Sequence, residues 1–280
     1  MREIITSARN EKLRNVSLLQ KQKKLRHEQG LFVIEGLRIF EDALRSAPDR
    51  IEQIYVSESF AGSEDYRAIF EADPGNETRK CADPAVIAAH RIFDKVITVA
   101  DDTFRKICET VTPQGILCVM RMKEHSVEDI PSGRLLLLEN IQDPGNLGTM
   151  VRTAEAAGIT GIIMSSDTAD IYSPKVTRST MGSIFRMPFL YSDDICDTID
   201  VLKQNGVTVY GAYLHGGRPY SEVEYREPCA ILIGNEGNGI SDAAIERVSE
   251  RVYIPMQGEI ESLNAAIAAA VLMYGMKGTR

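Results

Sequence analysis

Three stretches in the C-terminal half of this 280-residue chain bring glycines and polar side chains together directly after apolar runs. The first, DPGNLGTMVRTAEAAG (143–158), follows LLLLEN and sets Asn146 and Arg152 in a segment made mostly of small and apolar residues. The second, ILIGNEGNGIS (231–241), holds Glu236 among Gly234, Gly237 and Gly239. The third, IPMQGEIESLNAAIAAAVLMYGM (254–276), carries Ile254, Met256, Gly258, Ser262, Leu263 and Asn264 ahead of a run of very small residues. The glycines of the second loop space as GxxGxG, not in the GxGxxG order of dinucleotide loops. A carboxylate there would repel phosphate, but it suits a cation, a hydroxyl or an arginine. Arg152 offers a planar fork that stays charged, matched to phosphate or to a developing oxyanion.

Each loop needs an element on either side. Leu147, Met150, Val151 and Ala154 recur at i, i+3, i+4 and i+7, which predicts a helix with one buried face. Asn146 reads as its N-cap, with Gly145 and Gly148 letting another backbone approach. Arg152 sits at the border of that face, where an arginine also serves simply by running its stem along apolar surface to solvent. Ser241 would cap the helix after the second loop, and Ser262 the helix after the third, with Asn264 a polar group of its first turn. SPKVTRSTMGSIFRMPF (173–189) adds Lys175, Arg178 and Arg186 with no acid among them, a short basic patch suited to phosphates. Ser173–Pro174 opens a helix there as N-cap and N1.

From residue 134 onward the apolar runs LLLLEN, GIIM, RMPFLY, VTVYGAY, AILIG and RVYIP alternate with helical segments. That alternation predicts a mostly parallel sheet covered on both faces, with ligands beyond the carboxyl ends of its strands. Upstream, RNEKLRNVSLLQKQKKLRHEQG has helical spacing, LFVIEG and IEQIYVSE read as strands, and LRIFEDALRSA reads as a helix. The polar RMKEHSVEDIPSG is the linker candidate. The expected organisation is a first domain over 1–120, a linker over 121–133 and a second domain over 134–280. A formal net charge of −8 argues against a chain that coats nucleic acid indiscriminately. Yet residues 1–30 carry eight Lys or Arg against three acids, +5 locally, leaving −13 elsewhere. Lys21, Lys23, Lys24 and Arg26 are the candidates there for contact with a polyanion, although a solvated helix face accounts for the same charges. Five scattered cysteines and four histidines without ligand spacing predict neither a disulfide framework nor a metal site. The N-terminus lacks an apolar core and no stretch is long enough to span a membrane, so a cytoplasmic protein is expected.

In this order, and with STMGSIFRMPF between the first two, NIQDPGNLGTMVRTAEAAG, ILIGNEGNGIS and IPMQGEIESLNAAIAAA resemble the SpoU/TrmH family of the SPOUT superfamily. ITSARNEKLRNV…EQGLFVIEG followed by TPQGILCV is similar to that family's ribosomal-protein-like substrate-binding domain, in the branch of ribosomal RNA and thiopeptide-resistance methylases. The resemblance implies an α/β fold: a C-terminal domain whose parallel sheet contains a trefoil knot, plus a smaller N-terminal α/β domain that binds RNA. It implies a homodimer through the catalytic domain and S-adenosylmethionine-dependent methylation of a ribose 2′-hydroxyl, in large-subunit ribosomal RNA before any other. Gly234, Gly237, Ile254 and Leu263, with Met256 nearby, match cofactor-binding positions; Asn146, Arg152, Glu236, Ser262 and Asn264 match active-site positions. One departure is Ala265-Ala266-Ile267, where the family carries valine-serine-valine, a change at packing positions expected to alter the subunit contact slightly.

Methyl transfer asks for alignment of the hydroxyl with an activated methyl group and for stabilisation of developing charge. A guanidinium hardly gives up its proton, so Arg152 reads as a clamp on the target phosphate and hydroxyl, oriented by Glu236 and Asn146, with Ser262 and Asn264 holding ribose or loop. The alternatives are a transfer RNA methylase with the same motifs, a non-catalytic RNA-binding protein on the same fold, and a dinucleotide enzyme, the last disfavoured by the missing GxGxxG.

Overall fold

The computed structural model describes residues 4–71 and 84–276. Arg2 and Glu3 of the basic segment, and Cys81, lie outside the described residues. The chain divides into two compact units, Met1–Lys123 with Tyr172–Phe185, and Glu124–Ile171 with Arg186–Arg280.

The first unit is built on β1 (Leu31–Glu35), β2 (Ile51–Ser57), β3 (Val96–Val99) and β4 (Ile116–Arg121), in the order β1-β4-β2-β3. β4 is antiparallel to both neighbours, while β2 and β3 are parallel. The basic helical run is two helices, Glu11–Lys21 and Lys23–Gln29, because Gln22 is extended at φ −117°, ψ 106°. Gly30 ends the second helix in the left-handed conformation that glycine takes without steric cost. Leu13, Val16 and Leu19 form the buried face and share a core with Val33, Tyr55, Phe104 and Val119.

Two features of this unit differ from the expected division. Arg121, placed in the linker by the sequence, is the last residue of β4. Tyr172–Phe185, which follows β6 in the chain, groups with the first unit. The Tyr172 hydroxyl accepts from the Lys123 N–H at 2.9 Å and donates to the Lys123 carbonyl at 2.7 Å, and its ring lies 4.6 Å from that of Phe32. Sequence periodicity has no signal for such an excursion, since its residues obey the same local rules wherever they pack.

The second unit is a seven-stranded sheet of β5 (Arg134–Leu138), β6 (Gly161–Ser165), β7 (Phe189–Ser192), β8 (Thr208–Ala212), β9 (Arg218–Pro219), β10 (Cys229–Ile233) and β11 (Glu250–Tyr253). Its order is β7-β6-β5-β10-β8-β11-β9 and every pairing is parallel. β6 and β10 are buried along their whole length, as strands covered on both faces must be. Leu135, Leu137, Ile163, Val209, Ala230 and Leu232 pack with Ile195 and Ile199 of the helix Ile195–Gln204. The helix Pro144–Ala157 packs against Ala265–Gly275. Because β5, β10, β8 and β11 are consecutive neighbours running the same way, the loops that follow them emerge side by side at one end of the sheet. Among the described residues no helix is long and apolar enough to cross a membrane, and no group of three His, Cys, Asp or Glu is placed to hold a metal ion.

Candidate active site

Asp143, not Asn146, caps the helix Pro144–Ala157: its Oδ1 accepts the Asn146 N–H at 2.8 Å, with Pro144 at the first helical position, where a missing N–H costs nothing. The Asn146 side chain is therefore available to the neighbouring loops. Its Nδ2 donates to Glu236 Oε1 at 3.0 Å, and its Oδ1 accepts from Asn264 Nδ2 at 3.1 Å. Glu236 also accepts the backbone N–H groups of Gln142 at 3.1 Å and Asp143 at 3.0 Å. One side chain from each loop, Glu236, Asn146 and Asn264, thus joins stretches far apart in sequence. Asn264 is itself the cap of Ala265–Gly275, accepting from Ala266 N at 2.9 Å and Ile267 N at 3.3 Å. The cap expected from Ser262 comes from Asn264 because the residue directly before the helix has the reach to its first free N–H groups.

Partial burial works against ionisation of Glu236, but hydrogen bonds from the Asn146 amide and from the Gln142 and Asp143 N–H groups outweigh it and hold the carboxyl below its usual range. The loop bearing Glu236 is pinched at its neck. Asn235 and Gly239 exchange backbone hydrogen bonds of 2.9 Å, and a Cβ on Gly234 would lie 2.2 Å from the Gly239 carbonyl carbon. Glycine at 234 is therefore a requirement of close backbone approach. Asn235 Oδ1 accepts the N–H groups of Gly237 and Asn238, and Glu139 accepts both the N–H and the hydroxyl of Ser241, which caps the following helix as expected.

Arg152 is exposed and makes no hydrogen bond or ion pair among the described residues. The orienting contacts expected from Glu236 and Asn146 are not made: those two spend their groups on each other, on the loop backbone and on Asn264. Arg152 also lies six residues beyond Asn146, about a third of a turn away around the helix. Ser262 is exposed, and Ile254, Met256 and Leu263 are half-buried; none of these four makes a hydrogen bond outside helix or strand among the described residues. Gly237 is exposed in the loop after β10.

The candidate phosphate-binding cations do not behave alike. Lys21, Lys23 and Lys24 are exposed, but Arg26 is buried and donates Nη1 to the carbonyls of Leu19 at 2.6 Å and Gln20 at 3.0 Å. It holds the end of the preceding helix, a structural role that a count of charges cannot separate from a binding one. Arg178 pairs with Glu109 at 3.6 Å, and Arg186 makes a two-point ion pair with Glu155. The acids absent from the local segment are supplied from elsewhere in the chain, while Lys175 stays exposed.

The sequence passed over the loop after β8. Because β8 lies between β10 and β11, Tyr213–Gly217 opens between the second and third loops. A Cβ on Gly217 would lie 2.7 Å from the Arg251 carbonyl oxygen, and the Arg251 guanidinium stacks 5.4 Å from the Tyr213 ring centroid. The pair Gly216-Gly217 was the one signal available.

These loops have counterparts in known proteins. The family model described as the SpoU rRNA Methylase family matches residues 133–274, spanning all three loops. The chain belongs to the SpoU rRNA methylase family. Residues 10–118 of this family member match the MRM3-like substrate binding domain. It is 36% identical to the 23S rRNA (guanosine(2553)-2'-O)-methyltransferase RlmP of Bacillus subtilis, over 98% of this chain and 99% of that protein. The crystal structure of an rRNA methyltransferase from Sinorhizobium meliloti matches with a TM-score of 0.80 and 28% identity, covering 98% of this chain and 97% of that one. The AdoMet-bound form of that enzyme matches at 0.81 and 27%, with the same coverage.

Proposed function

We propose that this chain transfers the methyl group of S-adenosylmethionine to a ribose 2′-hydroxyl of large-subunit ribosomal RNA, with Arg152 as the charge-bearing clamp. The observation behind this is the linkage of Glu236, Asn146 and Asn264 across three loops, on the helix that presents an Arg152 without a partner among the described residues. The residues fit the cofactor. The backbone groups of Ile254, Met256 and Leu263 make no hydrogen bond outside helix or strand among the described residues, so their donors and acceptors are available to a ligand. Gly234, Gly237, Ile254 and Leu263, with Met256 beside them, would hold S-adenosylmethionine, which when bound supplies a methyl group activated by a positive sulfur.

The chain's own groups then position and stabilise. Arg152 grips the phosphate beside the target ribose with its fork and faces the hydroxyl oxygen as charge develops there. A guanidinium keeps its proton, so the proton of the hydroxyl passes to that phosphate or to water. Glu236 and Asn146 fix the loops, and Ser262 and Asn264 bear on the ribose side. Lys21, Lys23, Lys24 and Lys175 are exposed and are the cations proposed to meet RNA phosphates. The relative that acts on 23S rRNA, similar along both domains, favours ribosomal over transfer RNA. We further infer a homodimer through the catalytic domain. The helix Ala265–Gly275 is apolar throughout, yet Ile267 is 52% exposed and Tyr274 48% exposed, seven residues apart on one outward face. The trefoil knot and a cytoplasmic site of action belong to the same proposal, the knot supported by the packing of Ala265–Gly275 against both Pro144–Ala157 and β10.

The test uses purified protein, labelled S-adenosylmethionine, and unmodified large-subunit ribosomal RNA beside transfer RNA, with Arg152→Ala as control. Label in ribosomal RNA alone, lost in the variant, is the expected result. Label in transfer RNA alone would reassign the substrate, and cofactor binding without transfer to either RNA would make the chain a binding protein.

A further inference from the structure

Asn140 stands just outside the residues assigned above, in the loop after β5, and its backbone is left-handed at φ +54°. Few residues other than glycine adopt that conformation, asparagine most readily, and it recurs where a site holds backbone strain. Three of its polar groups reach three different partners. Its N–H donates to Ser165 Oγ at 2.8 Å, at the end of β6. Its carbonyl accepts from Asn235 Nδ2 at 2.8 Å, in the neck of the loop that bears Glu236. Its Oδ1 accepts from Gln142 Nε2, which also donates to the Asp167 carbonyl at 2.7 Å. The backbone N–H of Gln142 donates to Glu236 at 3.1 Å, and Glu236 in turn holds Asn146.

We propose that Asn140 is a positioning residue for methyl transfer, acting through Gln142 and Asn235 to set the register of the Glu236–Asn146–Asn264 linkage. This rests on the function proposed above. The left-handed backbone turns the chain so that all three groups can be used at once. A β-branched or bulky residue could not take that backbone without strain, and glycine could take it but would offer no Oδ1.

The substitutions separate these contributions. Asn140→Gly keeps the backbone and its two backbone hydrogen bonds but loses the acceptor for Gln142. Asn140→Asp keeps both the acceptor and the tolerance for the left-handed region. For Asn140→Gly the expected result is a loss of about tenfold to a hundredfold in kcat, with cofactor affinity, the KM for RNA and the melting temperature all unchanged. Asn140→Asp is expected to recover most of the activity. Gln142→Ala also gives up the bond to the Asp167 carbonyl and should lose at least as much. The double variant should lose no more than Gln142→Ala alone, since the Asn140 Oδ1 contribution passes through the Gln142 amide. An active wild type matched by an equally active Asn140→Gly overturns the inference alone. So does a loss shared equally by kcat and cofactor affinity, or additive losses in the double variant. A wild type that transfers no methyl group to any RNA overturns the proposed function, and the inference with it.

Discussion

The three glycine-bearing loops of the candidate site and the basic N-terminal helices are equally conspicuous as strings of residues, yet the fold treats their polar groups in opposite ways. In the loops, Asn146 binds both Glu236 and Asn264 and so links the three loops, and each is also tied to backbone, directly or through its helix. In the helices Glu11–Lys21 and Lys23–Gln29 the charges face water; Lys24 pairs with Glu28 of its own helix at 3.7 Å, both exposed, a contact that adds little to stability. Arg26 is the exception, buried and spent on carbonyls. A parallel sheet forces loops together at one end, so polar residues there find partners. A helix face imposes nothing of the kind, and its charges stay at the surface unless burial claims one of them.

Breaking the loop side of this contrast should produce the largest effect. Arg152→Lys keeps the charge but loses the fork, so turnover is expected to fall by about 10²-fold while cofactor binding is untouched. Single-turnover transfer assays with a separate binding measurement would show it; near-normal turnover would remove the clamp. On the helix side, Arg26→Ala should destabilise the N-terminal unit by about 2–3 kcal/mol, because it removes charge-assisted hydrogen bonds and leaves the Leu19 and Gln20 carbonyls bare. Denaturant unfolding would measure it, and a melting profile unchanged from wild type would return Arg26 to the candidate RNA contacts.

The strands were legible largely because apolar runs bounded by glycine leave few alternatives; every strand run named from residue 134 onward became a strand. The three loops were legible as a set, since order and residue type survive without coordinates. Partnership was not. Glu236 was expected to orient Arg152, but a carboxylate can be satisfied by any nearby N–H, and the backbone of Gln142 and Asp143 lies closer at hand. Capping failed for a related reason, because Asp143 and Asn146, like Ser262 and Asn264, are both competent caps and only the position of the first helical turn chooses between them. The excursion of Tyr172–Phe185 and the two-residue β9 were invisible, being set by tertiary contact alone.

A smaller effect tests whether the Glu236 hydrogen bonds bear on stability. Its carboxyl is held below the usual range in the folded chain, so the stability it adds is fully present above the unfolded value and is lost as pH falls through the depressed one. The melting-temperature gap between wild type and Glu236→Gln should hold constant down to about pH 5 and close below it. A gap of the same size at low pH would mean that the glutamine disrupts the loop for reasons unrelated to charge.

The smallest change expected is at Lys23, and it sharpens the contrast with Arg26 three residues on. Lys23 is exposed and makes no ion pair among the described residues. Lys23→Ala should therefore leave melting unchanged, since no buried group loses a partner. If Lys23 meets an RNA phosphate, each such contact releases counterions, so the slope of log affinity against log salt should shrink by about 1. Affinity should fall uniformly across RNA sequences, because a phosphate contact carries no base identity. Filter binding over a salt series, with Arg26→Lys alongside, separates the two kinds of cation. A slope unchanged by Lys23→Ala would assign the exposed lysines of these helices to solvation, and would leave RNA recognition by this unit to surfaces other than its most basic segment.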